Sequence, residues 1–335
     1  MEKIEVCPST LKSGFDTYSP EARRKLFDGR TVSHILPFDS PNHDSGEKAD
    51  YVEHVGRISL SGVQPKGGLV IGDDDLLVQP TEGQRSRYIL KPVPNSYALL
   101  AREFCPANEH VTMQIASQVY GIETADNALC FFRDGEPAYL TRRFDVTSDE
   151  RKYPQEDFAS IAGLTKANGG SAYKYSNLSY EECAAIIRHY VSAAQIDVLR
   201  FFQIILFNYI ILNDDAHLKN FTLISRNGTE YRLAPAYDLV NTSLHLRQPR
   251  IFALDNGLFR EGMSFSDVRS ISRNDFTEFG RRIGLPDRVV EQELNRFAAE
   301  NVAAEELLGR SFLSADMKAR YRASMGYRRS TLRLN

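Results

Sequence analysis

The chain has 335 residues, 42% hydrophobic and 25% charged, which allows a large buried core and, by length, two lobes or domains. Its formal net charge of −3 argues against a general nucleic-acid binder. Cys7, Cys105, Cys130 and Cys183 show no C-x-x-C or metal-ligand spacing, and there is neither an apolar leader nor a run of membrane-spanning length, so a cytoplasmic protein with reduced thiols and no zinc site is expected.

Residues 1–50 are mixed and polar, with a loop-like stretch from Asp39 to Gly46. From Arg57 to Ile71 the pattern predicts strand, glycine-containing turn, strand. Ser61, Gly62, Val63, Gln64, Pro65 and Lys66 form a candidate phosphate loop within it. Backbone N–H groups of a tight turn can approach anionic oxygens closely; Gly62 permits the approach and Lys66 would add a charge. The stretch is neither a Walker motif nor G-x-G-x-x-G, and an ordinary hairpin turn would read the same way.

Tyr88 to Pro92 reads as a short apolar strand closed by Lys91. Val111, Ile115 and Val119 predict a helix over 108–120 that Gly121 ends. In a kinase a strand lysine binds the α- and β-phosphates and pairs with a helix glutamate. Glu109 is the expected partner of Lys91, with Glu103 the second candidate, and a lysine lying along apolar surface is the plain alternative. Leu129–Phe132 and Ala138–Thr141 flank Asp134-Gly135 as a hairpin. Arg142, Arg143 and Phe144 follow, where a kinase chain crosses between lobes and meets the nucleotide base; Phe144 packs either on that base or in the core.

Beyond this point the pattern turns helical. Helices are predicted over 180–194 and 197–212, the second apolar nearly all round and therefore buried. Arg226-Asn227-Gly228 marks another hairpin. Asn274 or Asp275 would cap a helix whose face carries Phe276, Phe279 and Ile283 and which Gly284 and Pro286 end. Further helices are expected over 286–309 and 314–325, and the closing basic run from Lys318 to Arg333 reads as a solvated helix end. The expectation is an α+β, two-lobed protein-kinase-like fold: a strand-rich N-lobe over 1–145, a helical C-lobe over 146–335, and a nucleotide between them.

The densest signal is Asn213-Asp-Asp-Ala-His-Leu-Lys-Asn220 followed by Ala236-Tyr237-Asp238. An Asp, four residues, an Asn and a later Asp is the order of a kinase catalytic loop and its metal ligand. Asp215 would accept or steer the hydroxyl proton, and Asn220 and Asp238 would offer hard oxygens to Mg²⁺ on the phosphates of ATP. Lys219 would neutralise the transferring phosphoryl group, or is a solvated loop lysine; His217 either braces the loop or touches ATP. An acidic surface turn followed by a strand is the competing reading.

These segments together resemble the HipA family of bacterial serine/threonine kinases, the toxins of toxin–antitoxin modules. Arg57–Lys66, Ile89–Lys91, Asn108-Glu109, Arg143–Asp145, Pro154-Gln-Glu-Asp157, Asn213–Asn220 and Tyr237-Asp238 occur in family order over residues 50–245. The resemblance implies that Ser61 to Lys66 contacts the ATP phosphates, that Asp215 is the base, and that Asn220 and Asp238 hold Mg²⁺. It is closer to the short form, HipT, because the phosphate loop begins near residue 59 and leaves no room for the N-terminal subdomain of full-length HipA. Ser59 and Ser61, one residue apart, match the HipT pattern of autophosphorylation sites. The same resemblance implies a small HipS-like protein and a HipB-like DNA-binding antitoxin as partners, and an aminoacyl-tRNA synthetase as substrate, that of tryptophan for HipT. The polar loop from Lys166 to Lys174 is a guess for part of the protein-substrate surface.

Two other readings remain at this point. A small-molecule kinase of the aminoglycoside or choline type shares the Asp…Asn…Asp order but gives no role to Pro154–Asp157 or the paired serines. A catalytically dead binding module would not need Lys91, Asp215, Asn220 and Asp238 intact.

Overall fold

The computed structural model describes residues 4–41, 65–147, 149–261, 263 and 271–333. Ser59, Ser61, Gly62, Val63 and Gln64, and with them the first strand and the turn expected before Ile71, lie outside the described residues.

An antiparallel sheet of five strands builds the first lobe, in the order β2-β1-β3-β5-β4. The strands are β1 (Gly67–Ile71), β2 (Leu77–Val78), β3 (Tyr88–Lys91), β4 (Asn127–Phe131) and β5 (Pro137–Arg142). Strand alternation sends Tyr88 and Leu90 of β3, and Ala138 and Leu140 of β5, into one apolar cluster. Lys91 and its register partner Tyr139 belong to the other face. The expected hairpin of β4 and β5 is present, with Gly135 supplying the positive φ of 93° that its turn demands.

The helix on the Lys91 face is α2 (Cys105–Gln118), buried throughout residues 105–116. It starts three residues earlier than its periodicity suggests, because Pro106 is pre-set for a first helical turn. Gly121, at φ 60°, follows its end. The opposite face is covered by the N-terminal segment. That segment is not merely polar: it contains α1 (Pro20–Phe27), capped by Ser19, and buries Cys7, Leu11, Tyr18, Leu26, Phe27, Val32 and Leu36.

The second lobe is helical around a three-stranded sheet, β6 (Gln155–Asp157), β7 (Thr222–Ile224) and β8 (Arg232–Leu233), in the order β6-β7-β8. After β6 come the short α3 (Phe158–Ile161) and α4 (Lys166–Gly169). The core helices are α5 (Tyr180–Tyr190) and α6 (Ala194–Ile210), and α6 is buried along most of its length as expected. The chain closes with α7 (Arg273–Arg282), α8 (Asp287–Ala298), α9 (Val302–Arg310) and α10 (Ala315–Thr331).

Several helix boundaries in this lobe differ from the sequence reading: α5 stops at Tyr190 and α6 runs Ala194–Ile210, where 180–194 and 197–212 are predicted. The N-cap of α7 is Ser272, whose N–H donates to the Asp275 carboxylate at 2.8 Å, so Asp275 is the reciprocal member of a capping box. The helix expected over 286–309 is broken at Asn301, whose side chain accepts the N–H groups of Ala303 and Ala304 and starts a new helix. The last helix runs on to Thr331. Nor is its basic run wholly solvated: Arg329 is buried and donates to the Tyr120 hydroxyl at 2.8 Å, and Arg320 donates to the Ser243 and Leu244 carbonyls.

Candidate active site

Lys91 ends β3 on the face that looks at α2. Only 4% exposed, it forms an ion pair of 2.5 Å with Glu109, itself 3% exposed, and a second one with Asp238. The pairing resolves the choice between two glutamates: Glu103 sits in a 3₁₀ turn ahead of α2, and Glu109 one turn inside the helix reaches the lysine. Burial works against the Lys91 charge, but Asp238 and Glu109 outweigh it and hold the ammonium protonated. Burial also pushes the Glu109 carboxyl up, with Lys91 opposing it. Asp238 is held well below the usual carboxylate range, because Lys91 and Lys66 overcome its burial. The Lys66 ammonium stands 3.8 Å from Asp238.

The helix bearing Glu109 is fixed to the segment bearing Asp238. Asn108 donates to the Asn241 carbonyl at 2.8 Å and accepts the Asn241 N–H at 3.2 Å. These two bonds lock α2 to a point three residues past Asp238, so the pairing of Lys91 with both carboxylates is held from two sides.

The stretch 213–220 leaves α6 through Leu212, which takes a left-handed φ of 53°. Thr242 secures this turn: its hydroxyl donates to the Leu212 carbonyl at 2.7 Å and accepts the Asp214 N–H at 3.1 Å. Asn213 accepts the Asp215 N–H at 3.2 Å and donates to Asn208. Leu218–Asn220 form a single 3₁₀ turn, started by the His217 N–H donating to the Asn220 side chain at 3.1 Å. Asn220 in turn donates to Asp238 at 3.1 Å. Asp215 accepts the Tyr175 hydroxyl at 2.7 Å.

His217 is 3% exposed, and neither of its ring nitrogens has a hydrogen-bond partner among the described residues. Burial brings its pKa down to about 4, so it is neutral, and its ring packs edge-on against Tyr175. Bracing the loop is the role this geometry fits. Lys219 forms an ion pair of 3.2 Å with Asp157 at the end of β6, where Asp157 also caps α3. Gln155, two residues earlier, donates to Asp145, which receives Arg143 as a bidentate pair. The Pro154–Asp157 segment therefore ties the crossover between lobes to the loop at Lys219, a role invisible in the sequence. Tyr237 donates its hydroxyl to the Lys219 carbonyl at 2.8 Å and packs against Phe144, with ring centroids 5.7 Å apart.

One expected site residue lies elsewhere. Arg142 shares the β5 face of Leu140 and turns to the end of α1, where it donates to the Lys25 carbonyl at 2.8 Å and pairs with Asp28. Alternation along β5 puts its side chain on the far side of the sheet from Lys91. Tyr175, Asn108, Asn241 and Thr242 were not singled out as site residues. Only Asn108 carried a signal, as the neighbour of Glu109.

Asp238 and Asn220 supply a carboxylate and an amide beside one another, the donor types suited to Mg²⁺. Asp238 is ionised, as a ligand must be. The two therefore fit such an ion. No helix among the described residues is long and apolar enough to cross a membrane.

A family profile described as "HipA-like C-terminal domain" matches residues 58–305, well over half of the chain. A Haemophilus influenzae protein named "Putative kinase" is 28% identical over 93% of this chain and 91% of its own length. A Sinorhizobium fredii protein named "Putative kinase Y4mE" is 30% identical over 56% of this chain and 43% of its own. Among solved structures, HipA from the Shewanella oneidensis MR-1 toxin–antitoxin complex of HipA, HipB and operator DNA superposes with a TM-score of 0.65 at 20% identity. The match covers 85% of this chain and 67% of that one, and establishes a shared two-lobed, kinase-like fold. With a domain match of that extent, the chain belongs to the family defined by the HipA-like C-terminal domain.

Proposed function

We propose that this protein is an ATP-dependent serine/threonine protein kinase that acts as the toxin of a toxin–antitoxin module. One observation carries the reading: Lys91, Glu109, Asn220 and Asp238 meet in a single connected set, with Asp215 on the same short loop as Asn220. Lys91 holds the α- and β-phosphates of ATP, and Glu109 keeps its ammonium in place. Asn220 and Asp238 would hold Mg²⁺, which when bound would supply positive charge to the phosphates. Asp215 accepts the proton of the attacking hydroxyl, and Lys219, steadied by Asp157, faces the transferring group. Lys66 lies close enough to Asp238 to reach the same phosphates.

The finer reading rests on resemblance. Ser59 and Ser61 are the autophosphorylation sites; a phosphoserine there would place a charge of about −1.5 to −2 beside the ATP phosphates and lower activity. A HipB-like DNA-binding antitoxin and a small HipS-like protein are the partners in the cytoplasm, and an aminoacyl-tRNA synthetase, that of tryptophan, is the substrate. The complex of HipA with HipB and operator DNA in the Shewanella relative supports the antitoxin.

The chemistry is tested by incubating purified protein and a cell lysate with radiolabelled ATP. Wild type should label a protein band. Asp215→Asn should keep its fold and lose about 10²–10⁴-fold in transfer, as removal of a general base does. A labelled small molecule instead of a protein would favour a small-molecule kinase, and undiminished labelling by Asp215→Asn would remove Asp215 from the mechanism.

A further inference from the structure

Tyr175 follows the segment that begins with α4 and belongs to neither the catalytic loop nor the strands. It is 3% exposed, and its hydroxyl donates to Asp215 Oδ1 at 2.7 Å. The backbone around it is anchored on two sides. The Lys174 carbonyl accepts the Leu218 N–H at 3.0 Å, and the Tyr175 carbonyl accepts the Asp255 N–H at 2.9 Å. Its ring is held as well: His217 packs edge-on with centroids 5.2 Å apart, and the Lys174 ammonium lies 5.0 Å from its centre. The backbone and ring that carry the hydroxyl are thus held by two other stretches of chain, at 217–218 and at Asp255, and by the neighbouring Lys174.

A carboxylate turns about its Cβ–Cγ bond in a broad, two-fold well. A charge-assisted bond to one oxygen narrows that well, and so sets the direction of the other oxygen. Proton transfer from an attacking hydroxyl depends on such direction, and small misplacements are costly. We propose that Tyr175 is a positioning residue for Asp215: it anchors Oδ1 and thereby aims the carboxylate at the attacking hydroxyl. The segment from Lys166 is then divided. Its outer part is exposed, and its inner end, Lys174-Tyr175, is part of the catalytic framework.

This inference rests on the kinase reading, and the test separates the two. Wild type, Tyr175→Phe, Asp215→Asn and the double variant are compared in full-length protein by steady-state ADP release from Mg·ATP, with water as the acceptor. Tyr175→Phe removes one oxygen atom. It should lower kcat by about 10-fold, within the range of misplaced catalytic groups, and leave KM for Mg·ATP within about twofold, since Asp215 does not hold the nucleotide. In the Asp215→Asn background the same substitution should produce no further loss, because Tyr175 acts only through the carboxylate. An unchanged kcat overturns the proposal. So does a further loss in the Asp215→Asn background, the mark of a merely structural tyrosine. A rise in kcat would identify the hydroxyl as a competitor for the base and overturn it too. If Asp215→Asn keeps the wild-type rate, or wild type neither releases ADP nor labels protein from radiolabelled ATP, the kinase reading fails and takes this inference with it.

Discussion

Asp238 and Leu212 both adopt left-handed backbone conformations, at φ 56° and 53°. Asp tolerates this region through its short polar side chain, whereas a bulky leucine rarely enters it. Leu212 is held there by Thr242, and Asp238 by Lys91 and Asn220. Strain of this kind persists where the surroundings over-determine it, and here it lies at both edges of one site. Motif spacing marks Asp215, Asn220 and Asp238 as candidates. It could not reveal Thr242 or Tyr175, because a hydroxyl acting through a loop carries no spacing of its own. A second property of single residues is open to measurement. His110, His217 and His245 are buried, and burial lowers each pKa to about 4. Their unfolded value is about 6.5. A depressed folded pKa means that the unfolded chain binds more protons between these limits. Stability is therefore fully present above about pH 6.5 and falls toward pH 4, by up to about 1.4 kcal/mol per pH unit for each histidine. His110 donates to the Ser9 carbonyl at 2.8 Å, in the N-terminal segment. Urea unfolding from pH 7 to 4.5 should show His110→Gln losing stability less steeply than wild type, by the equivalent of about one proton. Identical slopes would show that folding does not lower the His110 pKa.

At the scale of elements, the sheet and α6 were legible for different reasons. Alternation and Asp134-Gly135 marked the β4–β5 hairpin, and an unbroken apolar run marked a buried helix. The N-terminal segment was not legible. In α1 the charged Glu21, Arg23, Arg24 and Lys25 mask three buried residues in two turns, too short a span for a period to emerge. Its contacts run to the sheet. The Tyr88 hydroxyl donates to the Leu26 carbonyl at 2.7 Å, and the Tyr18 hydroxyl to the Leu129 carbonyl at 2.8 Å. The same packing draws Arg142 away from the cleft. Phe27 is fully buried between the rings of Tyr18 and Tyr88. Phe27→Ala should therefore destabilise the protein by about 3–5 kcal/mol, the usual cost of such a cavity. Chemical denaturation measures it. A change below about 1 kcal/mol, the scale of surface substitutions, would show that α1 is not part of the core.

For the molecule as a whole, the two lobes meet through charge at Asp238. Lys91 comes to it from the five-stranded sheet and Asn220 from the 213–220 loop, while α2 is pinned to the same segment through Asn108 and Asn241. Residues 91, 109, 220 and 238 are distant in the chain, and their order predicted that they would meet. It did not predict that Lys91 would touch both carboxylates. In the proposed kinase, this arrangement makes Asp238 the residue on which nucleotide binding and the junction of the lobes both depend. A ligand that binds only the folded state stabilises it by about 2.7 kcal/mol at one hundred times its Kd. Saturating Mg·ATP should therefore raise the wild-type Tm by several degrees. Asp215→Asn should show the same shift, since in the proposed mechanism Asp215 serves transfer and not binding. Asp238→Asn loses the carboxylate proposed to hold the metal, so its shift should shrink to that of ATP without Mg²⁺. Thermal unfolding of the three proteins, with and without EDTA, separates these roles. An undiminished, Mg²⁺-dependent shift in Asp238→Asn would move the metal site away from Asp238, and loss of the shift in Asp215→Asn would move Asp215 from transfer to binding.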